Sequence, residues 1–69
     1  SYIEKEVKMV LLIKITRLCE KRRISIARLE KECGLGNATI RGWDKSDPRT
    51  ENLKKVADYF GVDIKYFLE

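Results

Sequence analysis

The stretch CGLGNATIRGW, Cys33 to Trp43, holds three of the chain's four glycines and constrains the fold more than any other segment. A glycine-rich turn of this kind either cradles a phosphate or reverses the chain between two helices. The cradle of a dinucleotide-binding unit follows a strand and needs G-x-G-x-x-G, because its third glycine lets helix and strand pack closely. Here Thr39 stands in the third glycine's place, no lysine follows in P-loop position, and the residues before the turn read as helix. The reversal survives this comparison. Gly34 supplies a positive φ without steric cost, Leu35 drops into the core beneath the turn, and Asn37 is placed to cap the helix that follows.

The flanking pattern is helical throughout. Glu6 to Arg22 contains neither Gly nor Pro, repeats Leu11, Ile15 and Leu18 at helical spacing, and ends on Arg22-Arg23 at the negative end of the dipole. Ser25 caps a second helix over Ala27–Cys33, with Leu29 and Cys33 on its inner face. Asn37 caps a third over Ala38–Lys45, with Ile40 and Trp43 turned inward. KSDPRT, around Pro48, is the one loop-like cluster. Thr50 then caps a fourth helix with the stripe Leu53, Val56, Ala57 and Phe60, and Gly61 ends it. Asp63 caps a last short helix carrying Ile64 and Phe67. With no strand, repeat or linker, the pattern predicts an all-α, compact five-helix domain in which helices 2 and 3 form a helix-turn-helix.

Composition narrows the function classes. Fifteen Lys and Arg against eleven Asp and Glu leave a net charge of +4, which admits a polyanionic partner. There is no histidine, and Cys19 and Cys33 lack metal-ligand spacing, so we expect no metal, no cofactor and no His-dependent catalysis. Without a phosphate loop or clustered carboxylates, the chain does not read as an enzyme. Both cysteines fall among apolar helical positions and read as small thiols of a reduced compartment. The run Met9–Ile13 is too short to span a bilayer and residues 1–8 lack signal-peptide order, so the expectation is a cytoplasmic protein with no membrane partner.

The ordered set of Leu29, Gly34, Leu35, Ile40-x-x-Trp43, Pro48, the stripe from Leu53 to Val62 and the closing Tyr66-Phe67 resembles the lambda-repressor-like (Cro-type) helix-turn-helix family of bacterial and phage regulators. The likeness runs from Ser25 to Leu68. It implies a sequence-specific DNA-binding transcriptional regulator, a small bacterial or prophage repressor. Its dimer would lay helix 37–45 into the major groove of double-stranded DNA at an inverted-repeat operator. By the same resemblance Asn37, Ala38, Arg41 and Gly42 face the bases, and Thr39 lies at the groove edge. Ser25, Lys45, Ser46 and Arg49 grip the backbone. Four positions depart from the family's pattern. Ile26 stands where a phosphate-contacting glutamine is frequent, and Gly42 costs about 1 kcal/mol against alanine inside a helix. Cys19 takes the place of an ion-pairing arginine and is expected to pack instead. Glu30 replaces a frequent alanine at the helix–helix contact, which leads us to expect a wider approach there.

Met9, Val10 and Ile13 point away from the Leu11–Ile15–Leu18 face, since each residue turns about 100°. Such a second apolar face meets another copy of the chain, another module, or residues 1–8 folded back; we favour the homodimer. The same face supports an alternative function, an antitoxin-like interaction module on the same fold. Lys5-Glu6-Val7 is also encodable by a purine-rich ribosome-binding sequence. On that ground residues 1–8 are read as a leader before a natural start at Met9, with the DNA-binding domain spanning 9–69.

Overall fold

Three helices stop in the same way, and those stops set the path of the chain. The computed structural model describes the backbone of residues 2–68 and the side chains of residues 9–68. In it, α1 spans Tyr2–Arg22, α2 Ile26–Glu32, α3 Thr50–Phe60 and α4 Lys65–Leu68. Past α1, α2 and α3 lies one left-handed residue each: Arg23 at φ 57°, Gly34 at 73° and Gly61 at 69°. The amide of the following residue then bonds back across the last turn: Ile24 to the Cys19 carbonyl at 3.0 Å, Leu35 to Glu30 at 2.8 Å, and Val62 to Ala57 at 3.0 Å. These are Schellman stops, which satisfy orphan carbonyls and fold an apolar residue back onto the helix. Ile24, Leu35 and Val62 are those residues, and all three pack partly buried against the core.

The core gathers Leu11, Ile15 and Cys19 from α1 and Leu29 from α2, around Ile40 and Trp43. Leu53, Val56, Ala57 and Phe60 close it from α3, and Phe67 from α4. The α3 stripe is buried position for position as its spacing predicts. Cys19 packs in the core, and Cys33, half-buried, directs its thiol at the Lys55 carbonyl of α3 at 3.9 Å. Both thiols are free, and burial is the main cause that raises their pKa above the ordinary thiol value.

Two cations from α1 hold the other end of the fold. The Arg22 guanidinium donates to the carbonyls of Tyr59 and Phe60 at 3.1 and 3.2 Å and lies over both rings. It thereby satisfies the last carbonyls of α3, where the dipole favours a positive charge. Arg22 thus serves a helix end, though that of α3 rather than its own. Lys14 donates to the Tyr66 carbonyl at 2.8 Å and covers that ring, tying α1 to α4.

Several sequence-based boundaries need correction. α1 begins at Tyr2, so residues 2–8 prolong the helix instead of folding back over Met9, Val10 and Ile13, which stay 54%, 43% and 46% exposed. The leader reading concerns residues 1–8, whose side chains lie outside the described residues. Ser25 does cap α2, accepting from the Arg28 amide at 3.1 Å, but the helix starts at Ile26 and ends at Glu32. Thr50 is the first residue of α3, not its cap. The Arg49 carbonyl already receives the Asn52 and Leu53 amides at 3.0 and 2.9 Å. Asp63 does hold the start of α4, through the Lys65 amide at 2.9 Å.

The largest correction is the third of the five expected helices. Residues 37–40 form a turn, and only Arg41–Asp44 winds further, as a single 3-10 turn of four residues. Ala38 sits at φ 62°, which interrupts any α-helix starting at Asn37. The described residues therefore comprise four α-helices and one 3-10 turn, with no strand. None of these helices is long and apolar enough to cross a membrane.

Candidate nucleic-acid interface

Ile26, Leu29, Glu30 and Cys33 follow the i, i+3, i+4, i+7 rule, so α2 presents a carboxylate where its inner stripe calls for an apolar group. A buried carboxylate is tolerable only with donors around it. Glu30 is 2% exposed and has three. Its Oε2 accepts from the Ile40 amide at 2.7 Å, its Oε1 accepts from the Ala38 amide at 3.2 Å, and Arg41 Nη2 stands 3.5 Å from Oε1. Its own carbonyl takes the Leu35 amide. One residue of α2 thus organises the whole segment between the two halves of the motif.

That arrangement explains the missing helix. An Asn37 cap would need the amides that follow it, and the Glu30 carboxylate already takes those of Ala38 and Ile40. The Asn37 side chain turns the other way and accepts from Arg41 Nη2 at 3.3 Å. Glu30 lies within the contact, its carboxylate taken up by the amides of the turn. The sequence marks Glu30 as a residue of the helix–helix contact, and its place on the inner stripe is the signal that its carboxylate needs donors there.

The expected base-facing residues lie on this turn. Asn37, Ala38 and Arg41 are exposed, whereas Ile40 is fully buried and Trp43 nearly so. Thr39 is half-buried, and its hydroxyl donates to the Gly36 carbonyl at 2.7 Å. Gly42 is half-buried, and an added Cβ would meet nothing within 4 Å. Its carbonyl is the anchor of the following loop, accepting from the Lys45 and Ser46 amides at 3.1 Å each and from the Ser46 hydroxyl at 3.2 Å. Lys45 and Ser46 are both exposed there. Ser25 and Arg49 sit elsewhere, at the N-terminal ends of α2 and α3, with Arg49 only 4.0 Å from the Glu51 carboxylate in an exposed pair. Such a pair contributes little and leaves the guanidinium available. A shallow open depression lined by Ala27, Glu30, Lys31, Gly34, Leu35 and Asn37 joins the outer face of α2 to the turn.

Ala38 gives this geometry a direct test. A left-handed alanine is strained by roughly 1–2 kcal/mol, of which glycine recovers a part after its larger entropy loss. Ala38→Gly is therefore expected to raise the melting temperature, with a gain of about 0.5–1 kcal/mol in a thermal or urea titration. A loss of stability would show that residue 38 is helical in solution.

The surface so built is a buried polar latch carrying exposed polar, basic and small side chains, flanked by a loop with further cations. A family model for the Cro/C1-type helix-turn-helix DNA-binding domain matches residues 14–69. No curated protein and no solved structure matches the chain.

Proposed function

The chain belongs to the Cro/C1-type helix-turn-helix DNA-binding domain family, and on that premise we propose a sequence-specific transcriptional regulator, a small repressor of bacterial or prophage type. The observation that carries the reading is the division of labour in segment 37–45. Ile40 and Trp43 anchor it in the core while Asn37, Ala38 and Arg41 face outward. Small and basic groups on an anchored projection suit entry into a major groove, where base edges differ in their donors and acceptors. In this reading Asn37, Ala38, Thr39, Arg41 and Gly42 meet the bases, and Ser25, Lys45, Ser46 and Arg49 meet phosphates. Base contacts specify the site and phosphate contacts supply most of the affinity. Repression is steric, by occupation of an operator. Selection from a pool of random-sequence duplexes tests this: enrichment of a motif supports it, and an inverted repeat fixes the dimer as well. A pool that stays random overturns it.

Salt dependence is a second expected result. Each phosphate neutralised adds about 0.9 to the slope of log affinity against log salt, so three or four contacts give a slope near −3. Titrations of one duplex at several salt concentrations measure it, and a flat response removes DNA as the partner.

Arg41→Ala should relax the preference at one base pair per half-site by about 1–3 kcal/mol, the worth of a bidentate guanine contact. Stability should fall by only about 1 kcal/mol, because two amides still hold Glu30. A uniform loss of affinity with the selected motif unchanged would assign Arg41 to the backbone instead.

A second reading, an interaction module of antitoxin type, draws on the exposed Met9, Val10 and Ile13 face of α1. Light scattering of the purified chain, alone and with the selected duplex, separates a self-associating face from one that awaits another protein.

A further inference from the structure

We infer that Glu30 is the positioning residue of the base-reading surface: from beneath the turn it holds the Arg41 guanidinium over the place of a guanine edge. The inference rests on the reading of segment 37–41 as the base-contacting segment and goes beyond it, because Glu30 itself is buried and touches no base.

Two backbone amides bond to different oxygens of Glu30, so position 30 needs a carboxylate, both of whose oxygens accept, and the same charge has a further use. The charge finds that use in Arg41. Nη2 lies 3.5 Å from Glu30 Oε1 and donates to Asn37 Oδ1 at 3.3 Å, so one end of the guanidinium is held from below and from the side. Nη2 spends one hydrogen on Asn37 and keeps a second, which forms a fork with Nε or with Nη1, on a side chain that is 56% exposed. A solvated arginine samples many rotamers, and holding one of them before the duplex arrives lowers the ordering cost of binding. The carboxylate also biases where the arginine goes. Were Arg41 to swing out to a phosphate, Glu30 would lose its only cationic partner among the contacts that hold it. A guanidinium kept over the groove floor meets the O6 and N7 acceptors of guanine, the commonest target of an arginine fork. Glu30 thereby turns a general anion binder into a base reader, and the pairing keeps its negative charge from repelling the backbone.

The test begins with the motif enriched by the wild-type chain from random duplexes, and with the base pair whose preference Arg41→Ala erases. Affinities are then measured for that duplex and for the same duplex altered at that pair. Glu30→Gln, which removes the charge and leaves one oxygen to accept, is combined with Ala38→Gly, which relieves the left-handed alanine and supports the turn. Against Ala38→Gly alone, Glu30→Gln should lower the ratio of the two affinities about tenfold, chiefly by strengthening binding to the altered duplex. In an Arg41→Ala background the same substitution should leave the ratio unchanged. A ratio kept within about twofold, or an equal loss in both backgrounds, overturns the inference while leaving DNA reading intact. A wild-type chain that enriches no motif overturns the reading itself, and the inference with it. If the combined variant does not fold, ¹⁵N relaxation of the Arg41 Nε–H in the wild-type chain decides. Order close to that of the backbone supports the latch, and the dynamics of a free side chain overturn it.

Discussion

Trp43→Ala melts the domain about 20 °C below the wild type, or leaves it unfolded at room temperature. Trp43 is 3% exposed and sits in the 3-10 turn, where α1 packs against it. Truncating a large buried aromatic costs about 3–5 kcal/mol, through lost transfer energy and the cavity left behind. A domain of this size has little more than that to lose, since total stabilities begin near 5 kcal/mol. The segment 37–44 lacks an α-helix of its own, so nothing local replaces the anchor. Circular dichroism melts measure the effect. Melting within a few degrees of the wild type would mean that Trp43 is not core, leaving its indole available for contact with a partner.

Glu30→Ala is the second large effect, and it separates a latch from an ordinary helix contact. The substitution strips acceptors from the Ile40 and Ala38 amides, the first of them in a fully buried residue. Each buried donor left without a partner costs about 1–3 kcal/mol, so the expected loss is about 2–4 kcal/mol. Alanine is the better helix former, and α2 itself should gain slightly. The net loss must therefore come from the turn. Amide exchange locates it: Ile40 and its neighbours should lose protection by more than α3 does. A variant as stable as the wild type would show that the carboxylate has no part in holding the turn.

What could be read beforehand depended on how local the signal was. Gly34 and Gly61 ended their helices as expected because a left-handed stop is decided within the last turn. The α3 stripe was legible because its four apolar positions repeat over about two turns, and burial followed the pattern. Ser25 and Asp63 were legible as caps because each bonds an amide two or three residues on. The third helix was misread for the complementary reason. Asn37-Ala38-Thr39 carries good local cap and helix signals, yet the amides it would have used are claimed by a carboxylate from another element, eight and ten residues earlier in the chain.

By itself, then, the sequence determined an all-helical chain, the glycine stops after α2 and α3, which apolar faces turn inward, and the resemblance that the family match bears out. Those properties follow from dihedral preference and periodicity, which act within a few residues. Only the tertiary structure decided that α2 buries Glu30 beneath the turn, that residues 37–40 leave the helix, that Asn37 and Glu30 both contact Arg41, and that Arg22 serves the end of α3. Each of those depends on a charged or polar side chain meeting backbone or side-chain partners from a different part of the chain. No local pattern records that pairing, because it is settled only when burial makes an unpartnered polar group too costly to leave.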